Sequence, residues 1–289
     1  MSIPVIKVEG KTLPEVWEKS LIEVWEKGIS IKTEYDKPED PPSKDCTMLM
    51  VVKSTLEEPR IHLSIPARFE ELEKYVMEVV EGIHDHWINP KEGKWTYTYH
   101  ERLFNYPIQS GEEIKRIDQI EFITEKLSKV PYTRRAQAIT WKPDFDPETN
   151  DPPCLQRIWC RLVEGEDRKL YLNMQTEWRS RDAYKAAFMN MYALTSLQQR
   201  ITKKLEEKMG KEILVGPYVD FSNSYHIYGS YFKDFERFLN QVKNREFYSP
   251  VITKSRTIRS DNPIIKQALE NARKEVELEK ATGEKGVRL

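Results

Sequence analysis

The chain has 289 residues, enough for one large domain or two modest ones, and either would bury a sizeable core. Its 46 basic and 47 acidic residues leave a formal net charge of -1, so the overall charge does not suggest a nucleic-acid binder. The 3 cysteines contain no C-x-x-C pair, which argues against a disulfide framework and a structural zinc site and favours a reducing cytoplasm.

The first half of the chain alternates between helical and strand patterns. Apolar residues recur at helical spacing from Leu13 to Gly28, and this glycine is the expected end of the helix. The segment from Lys37 to Asp45 has the composition of a loop, and Cys46 to Val52 after it predicts a strand. Further patterns predict helices at 69–82 and 118–127, and the segment 95–104 is consistent with a strand that runs into a helix.

The second half contains most of the predicted strands. Strand patterns occur at 136–141, 155–162, 170–178 and 215–221, and helical patterns at 183–209, 231–243 and 264–280. Strands and helices are mixed without regular alternation or internal repeats, so the predicted class is α+β. The last helix carries many charges around a thin apolar stripe, which predicts a solvated face.

Membrane and metal sites have little support in the sequence. No segment approaches membrane-spanning length, and the N-terminus lacks the basic and apolar regions of a signal peptide, so we expect a cytoplasmic protein. His84-Asp85-His86 has a spacing that metal sites sometimes use, but no second His or Cys block completes it. We expect a helix end packed under Trp87 at this position, and no metal.

Cys154 is the residue whose neighbours suggest chemistry. Pro152-Pro153 hold the backbone extended as it reaches this cysteine, because proline fixes φ and removes a donor. A cysteine is a nucleophile only as its thiolate, which near neutral pH requires a nearby cation or a helix N-terminus. Arg134-Arg135 and Arg179-Ser180 carry donors that also match phosphate oxygens. Taken singly, such a cysteine is more often a small buried hydrophobe and such a pair a solvated surface feature.

Five blocks in a fixed order give these residues a context: "TRRAQAITW", "DPPCLQ", "WRSRD", "AAFMNMYAL" and "NSYHIYG". In this succession the chain resembles the thymidylate synthase family, clearly from about Trp95 to Leu239, and "KWTYTYHERLF" is similar to its archaeal branch. The resemblance implies a thymidylate synthase-like α+β fold, in which a mixed β-sheet with packed helices forms the interface of a homodimer. It implies a methyltransferase that converts dUMP to dTMP by reductive methylation, with 5,10-methylene-tetrahydrofolate or a related reduced pterin as co-substrate and no metal.

The family's catalytic and phosphate-binding roles map onto five residues. Cys154 matches the nucleophile that adds to ring carbon six of dUMP, making an enolate that attacks the methylene of the folate. Arg179 matches the arginine that touches both nucleophile and phosphate, and Ser180 would bind phosphate too. Arg134 and Arg135 match the arginines that reach the phosphate of the neighbouring subunit. The resemblance therefore implies a homodimer that binds dUMP and a reduced folate, without an obligatory nucleic acid.

Four further residues match the groups that read the base, the sugar and the pterin. Asn190 matches the asparagine at the uracil edge, and its amide offers both a donor and an acceptor, which favours dUMP over dCMP. His226 and Tyr228 match the pair that holds the deoxyribose 3'-hydroxyl, and Asp182 matches the aspartate that hydrogen-bonds the pterin. From the residues alone, Asn190 could cap a buried carbonyl, His226 could be a satisfied core histidine, and Asp182 could be a helix N-cap.

The chain departs from the family pattern at several positions. Leu155 stands where the family usually has a histidine that orders water. The N-terminal phosphate loop lacks its arginine, and Lys44 or Arg60 could replace it. Glu78 is our candidate for the catalytic glutamate that relays protons through water. Two other functions stay open: a dUMP or dCMP hydroxymethylase with the same covalent chemistry, and a catalytically silent regulator that binds a nucleotide or RNA.

The chain also continues beyond the family's usual end. We expect a catalytic domain over residues 1–250 and a charged C-terminal extension with a helix over 251–289. In the family the C-terminus closes over the cofactor and excludes water, so that hydride rather than hydroxide completes the reaction. Poor closure would give a 5-hydroxymethyl product instead.

Overall fold

The computed structural model describes residues 2–289 and confirms the α+β class. Its helices are α1 (Leu13–Lys27), α2 (Phe69–Glu81), α3 (Tyr99–Phe104), α4 (Gln119–Lys129), α5 (Ala187–Met209), α6 (Phe232–Asn244) and α7 (Pro263–Thr282). Its strands are β1 (Val5–Gly10), β2 (Ile29–Ile31), β3 (Ser43–Val52), β4 (Ile61–His62), β5 (Tyr106–Ser110), β6 (Glu113–Ile117), β7 (Gln137–Ile139), β8 (Leu155–Glu164), β9 (Leu170–Trp178), β10 (Arg181–Asp182), β11 (Ile213–Ile227) and β12 (Thr257–Ile258).

The chain forms two compact units, and neither is continuous in sequence. The first unit comprises the chain up to Tyr75, Ser180–Tyr192 and Phe221–Leu289. The second comprises Val76–Arg179 and Ala193–Asp220. The segment after residue 250 belongs to the first unit, and the expected division of the chain at that residue stays a prediction.

In the first unit, α1 packs on a sheet that contains β1, β2, β3 and the end of β11. β1 runs parallel to β3, with Val5 opposite Thr47, and β3 also adjoins β11. Residues of β1 and β3 alternate between buried and more exposed positions, because successive side chains of a strand point to opposite faces. Trp17 of α1 is completely buried, and its indole Nε1 donates a 2.9 Å hydrogen bond to the carbonyl of Ala183. α1 therefore braces the segment that follows β10.

Gly28 follows α1 because the chain packs too closely there for a side chain. Its φ of -64° is open to any residue, but a Cβ would lie 2.4 Å from the carbonyl oxygen of Val24 and 3.2 Å from the amide nitrogen of Asp45. The predicted end of the helix is confirmed. The predicted loop at 37–45 is wrong for its last residues, since Ser43 to Asp45 begin β3 and pair with Ile29–Ile31, a partner that composition does not show.

In the second unit, β11, β9, β8 and β7 are successive neighbours in the sheet. β8 and β9 pair antiparallel, from Leu155 opposite Trp178 to Glu164 opposite Leu170, with an irregularity just after Leu155. The residue before β8 is Cys154, and the residue after β9 is Arg179. The strand pairing therefore brings this cysteine and this arginine together.

The C-terminal helix α7 has a buried face, which corrects the expected solvated helix. Val276 is 4% exposed and Glu275 is 0% exposed. The carboxylate of Glu275 lies 2.8 Å from Lys74 Nζ and accepts a 3.2 Å hydrogen bond from Arg68 Nη2. A buried carboxylate needs such partners, and the first unit supplies both from α2 and the residues just before it.

Candidate active site

The three cysteines lie in very different surroundings. Cys46 in β3 and Cys160 in β8 are fully buried, and burial raises the pKa of each thiol to about 12. Thiols with such a pKa stay protonated at neutral pH and are inert as nucleophiles. Cys154 is only half-buried. It is therefore the cysteine suited to nucleophilic chemistry.

Arg179 is fixed against the segment that leads to Cys154. Its backbone N–H donates to the carbonyl of Cys154 at 2.9 Å, its Nε to the carbonyl of Pro153 at 3.0 Å, and its Nη2 to the carbonyl of Pro152 at 2.6 Å. The two prolines hold this segment extended, so that both carbonyls are presented to one guanidinium. The guanidinium is therefore held beside the segment that carries the cysteine.

Two tyrosines that the sequence did not single out also lie near Cys154. Tyr99, in α3, accepts a 3.2 Å hydrogen bond from the amide of Leu155, and its ring stands edge-on to Trp178. Burial raises the pKa of Tyr97 and of Tyr99, and the nearby Cys154 raises both further. Both hydroxyls are therefore protonated at neutral pH, and each can donate a hydrogen bond.

Leu155 fills the core and supplies no polar group to the site. Its side chain is 0% exposed, and its backbone carbonyl accepts a hydrogen bond from the hydroxyl of Thr140. The neighbouring Gln156 donates from Nε2 to the carbonyl of Pro153 at 2.7 Å. This amide therefore braces the proline segment that Arg179 also contacts.

The end of β9 is held by a buried carboxylate. Asp220 is 0% exposed and accepts hydrogen bonds from Trp178 Nε1 at 3.1 Å, Tyr218 Oη at 2.7 Å and Thr176 Oγ1 at 3.1 Å. Three donors satisfy the charge and lock the indole, since buried charges are stable only when paired or hydrogen-bonded. The backbone that carries Arg179 is thereby fixed.

In the first unit, β10 and β11 place Asp182 beside His226. The two strands run parallel and the two residues lie opposite each other. Asp182 Oδ1 accepts hydrogen bonds from the backbone N–H groups of Tyr184 at 3.0 Å and Lys185 at 2.8 Å, and burial raises the pKa of the carboxyl. The turn that these bonds form explains why α5 begins at Ala187, later than predicted. Within residues 2–289, both hydrogen bonds to the carboxylate are on Oδ1.

Asn190 lies in the first turn of α5 and is 8% exposed. Its Nδ2 donates a 2.7 Å hydrogen bond to the hydroxyl of Tyr75. Tyr75 is the last residue of α2 that belongs to the first unit. No sequence pattern marks Tyr75 as a partner of this asparagine, because the two residues are 115 positions apart. The contact uses one amide hydrogen and orients the side chain, and it leaves the second hydrogen and the oxygen for a ligand.

His226 has one ring nitrogen bonded and one open. The residue is 3% exposed, its Nδ1 lies 3.1 Å from Ser224 Oγ, and Ser224 Oγ donates to Asp45 Oδ2 at 2.7 Å. Its Nε2 has no hydrogen-bond partner among residues 2–289. The ring of Tyr228 stands edge-on to the imidazole at 4.6 Å. A satisfied core histidine would have partners on both nitrogens, so this geometry favours a ligand contact.

The pKa of His226 predicts a pH-dependent contribution to stability. Burial lowers this pKa from 6.5 to about 4, so between these values the unfolded state binds more protons and the free energy of unfolding falls as the pH is lowered. The shift corresponds to about 3 kcal/mol. We expect the stability advantage of the wild type over His226→Gln to shrink by this amount from pH 7 to pH 4 in urea unfolding. Subtracting the free energies of unfolding of the two proteins cancels the contributions of the other titrating groups. A difference in this free energy that does not change with pH would contradict the low pKa of His226.

The two arginines expected to serve another subunit are both exposed. Arg134 and Arg135 precede β7, and the carbonyl of Arg134 accepts a 3.1 Å hydrogen bond from Trp159 Nε1. The backbone of this segment is therefore held while its guanidinium groups remain accessible. Ser180 is half-buried directly after Arg179.

Glu78 and the His84 segment form a local cluster in the second unit. Glu78 carries its carboxylate 2.8 Å from His84 Nδ1, and the His84 ring stacks on Trp87 with centroids 3.9 Å apart. The expected packing under Trp87 is confirmed, whereas the role of Glu78 stays a proposal. Across the described residues no group of three His, Cys, Asp or Glu side chains is arranged to hold a metal. Over the same range, no helix has the length and apolar character needed to span a bilayer.

The two candidate replacements for the phosphate-loop arginine lie in different settings. Arg60 stacks its guanidinium 4.7 Å from the ring centroid of Tyr192 and donates from Nε to the carbonyl of Thr55 at 3.1 Å. Lys44 lies on β3 opposite Ser30 and is half-buried. Both assignments stay predictions.

The chain is similar to known proteins over most of its length. The family model for thymidylate synthase matches residues 48–271. A protein of Methanosarcina mazei, provisionally named thymidylate synthase, is 31% identical over 223 residues, which cover 76% of this chain and 88% of that protein. A protein of Methanocaldococcus jannaschii with the same provisional name is 32% identical over 169 residues, covering 57% and 68%.

A solved structure shows the same fold. The thermostable thymidylate synthase A from Bacillus subtilis matches with a TM-score of 0.58 over 83% of this chain and 86% of that chain, at 17% sequence identity. At this identity the likeness concerns the fold alone. The family model, however, matches most of the sequence, and the chain belongs to the thymidylate synthase family.

Proposed function

We propose that this protein is an enzyme that methylates dUMP to dTMP, with 5,10-methylene-tetrahydrofolate or a related reduced pterin as co-substrate. One observation carries the proposal: three hydrogen bonds fix Arg179 to Pro152, Pro153 and Cys154, beside the one half-buried cysteine. Family membership supports pyrimidine methyl transfer as the reaction class.

In the proposed reaction, the thiolate of Cys154 adds to ring carbon six of dUMP. A carbon–sulfur bond forms, and the electrons of the ring double bond move onto the carbonyl at carbon four as an enolate. Carbon five becomes nucleophilic in this adduct, takes up the one-carbon unit and loses its proton, and the thiolate later leaves as the double bond re-forms. Arg179 stabilises the anionic sulfur before the addition and after its departure. The pterin supplies the one-carbon unit and the hydride.

Substrate binding is assigned to the residues that match the ligand-binding positions of the family. We assign the uracil edge to Asn190, the 3'-hydroxyl to His226 Nε2 and Tyr228, and a pterin N–H to Asp182 Oδ2. We assign the phosphate to Arg179 and Ser180. Glu78 remains our candidate for the proton relay.

We also propose a homodimer, in which Arg134 and Arg135 reach the phosphate bound by the partner, and a cytoplasmic location. One face of the β7–β8–β9 sheet supports the dimer. One row of paired residues crosses the three strands and consists of Gln137, Trp159 and Gln175. This row lies on one face of the sheet, and the buried Ala138 lies on the opposite face. Trp159 is half-buried and Gln137 and Gln175 are exposed, so a second copy of this chain could cover them.

The test is an assay of the purified protein with dUMP and each of two co-substrates, methylene-tetrahydrofolate and its methanopterin counterpart. The proposal predicts dTMP and the oxidised dihydro form of the pterin, identified by mass. A product heavier than dTMP by one oxygen would instead indicate the hydroxymethylase. Binding of dUMP without a modified pyrimidine from either pterin would contradict the proposed reaction and favour the silent regulator.

A further inference from the structure

A chain of three hydrogen-bonding side chains ends at the open nitrogen of His226. Ser224 Oγ lies 2.7 Å from Asp45 Oδ2 and 3.1 Å from His226 Nδ1. Ser224 and His226 are two residues apart on β11 and therefore share a face of the strand. Asp45 is in β3, the strand next to β11. All three residues belong to the first unit.

The partners of Asp45 determine where the protons lie. Asp45 is 8% exposed, and burial raises the pKa of its carboxyl, while hydrogen bonds from Ser224 Oγ and from the backbone N–H groups of Cys46 and Tyr225 oppose that rise. A carboxylate can only accept, so the single hydrogen of Ser224 Oγ points to Asp45. The Ser224 oxygen must then accept from His226, and the backbone carbonyl of Ser224 is a second acceptor for the same ring. The contact between Ser224 Oγ and Nδ1 therefore places the proton on Nδ1.

We propose that Asp45 and Ser224 are positioning residues that hold His226 as the Nδ1-protonated tautomer, so that Nε2 accepts a hydrogen bond from a ligand hydroxyl. Nε2 is a buried acceptor without a partner in the described chain, and leaving such an atom unpaired is unfavourable. A donor on the ligand removes this cost. The identity of that donor as a nucleotide sugar hydroxyl rests on the proposed function, whereas the placement of the proton does not.

Asp36 is a further acidic residue that acts on the imidazole, and its carboxylate is also a hydrogen-bond acceptor. Asp36, in the loop before β3, acts on His226 through space, and its own oxygens accept from Ser43 Oγ at 3.0 Å and from the amide of Thr33 at 2.7 Å. This loop packs tightly against Gly229. A Cβ on that glycine would lie 1.8 Å from the carbonyl oxygen of Pro41. Neither Asp36 nor Asp45 can donate to Nε2 as a carboxylate. A hydroxyl on the ligand is the missing donor.

The tautomer can be read without any ligand. In protein labelled with ¹⁵N-histidine, two-bond proton–nitrogen correlation spectra at neutral pH should show a protonated Nδ1 and a bare Nε2 for His226, assigned by their loss in His226→Gln. Asp45→Asn introduces an amide that can donate to Ser224, so we expect the proton to shift toward Nε2. Ser20→Ala is the matched control, because it removes a buried hydroxyl 2.7 Å from Tyr225 Oη and leaves the imidazole untouched. A bare Nδ1 in the wild type would overturn the inference.

Binding of two nucleotides tests the consequence for ligand recognition. Calorimetry with dUMP and with 2',3'-dideoxyuridine monophosphate should show a preference for dUMP that falls roughly fivefold in Ser224→Ala and Asp45→Asn and is unchanged in Ser20→Ala. Affinity for the dideoxy nucleotide should not change. A preference retained in Ser224→Ala would overturn the positioning role, even if Asp45→Asn fails to fold. Failure of the wild type to bind dUMP would contradict the proposed function, while the ligand-free spectrum would still decide the tautomer.

Discussion

Replacing Cys154 with alanine is expected to lower the turnover of dUMP by about a thousandfold or more while the protein stays folded. The reason is that this thiol is half-buried beside the fixed guanidinium of Arg179, whereas burial raises the pKa of Cys46 and Cys160 to about 12. Neither of the other thiols can replace the nucleophile. The measurement is kcat, from the release of dTMP quantified by mass, together with the melting temperature of the variant.

Cys160→Ala is the matched control, since it removes a thiol from the same strand region. Cys160 is completely buried, so the substitution leaves a small cavity that costs about 1 kcal/mol of stability. The kcat of the folded protein should stay within a few-fold of the wild type. A Cys154→Ala protein that retains turnover, or a Cys160→Ala protein that folds but loses it, would show that Cys154 is not the nucleophile.

The largest effect on stability is expected from Asp146→Ala. Arg102 and Asp146 form a buried pair with side chains 2% and 0% exposed, joined at 3.0 Å and 2.8 Å. Arg102 also donates to the carbonyl of Thr140 at 2.8 Å, and the hydroxyl of Thr140 bonds to the carbonyl of Leu155. Removing the carboxylate takes away the closer ion-pair partner of a buried guanidinium and leaves Glu101 at 3.4 Å from Nε, so we expect a loss of about 3 kcal/mol. Equilibrium urea unfolding measures this loss.

An exposed pair of the same chemistry provides the comparison. Arg259 and Asp261 are joined by two hydrogen bonds of 2.9 Å and 2.7 Å, with side chains 46% and 55% exposed. Water replaces the lost partner at such a site, so Asp261→Ala should lower the free energy of unfolding far less than Asp146→Ala does. Equal losses in the two variants would mean that burial does not determine the strength of these pairs.

Elements with strong periodicity could be predicted from the sequence. The pattern at 170–178 gave both ends of β9, and the pattern from Leu13 gave α1 to within one residue. Regularly spaced apolar residues determine such elements. Only one conformation of the segment turns all of these residues toward the core. The order of sequence blocks also identified Cys154 and Arg179, whose proximity the pairing of β8 with β9 explains.

Elements that depend on distant partners could not be predicted. The hairpin of β5 and β6 is almost entirely exposed and therefore carries no buried alternation. The predicted strand at 215–221 was too short, because the polar residues that follow it are paired with other parts of the chain: Thr47 Oγ1, for example, donates to the carbonyl of Asn223 at 3.0 Å. Composition suggests a turn at such residues, and tertiary hydrogen bonds override it.

The supporting residues of the site were missed for the same reason. Tyr75 contacts Asn190 across 115 positions of sequence, and Asp45 contacts Ser224 across 179. Neither pair has a spacing that a local pattern could show. α7 illustrates the same limit, since its charged residues looked solvated until Lys74 and Arg68 were seen to pair with Glu275.

Covalent trapping is the most direct test of the central claim, that Cys154 adds to the pyrimidine ring. The protein is incubated with 5-fluoro-dUMP and either reduced pterin, and the digested peptides are analysed by mass. Because fluorine replaces the proton that must leave carbon five, the reaction should stop at an adduct that joins protein, nucleotide and pterin. We predict this adduct on the peptide that contains Cys154, and none in Cys154→Ala. No adduct with either pterin, or an adduct on Cys46 or Cys160, would contradict the account.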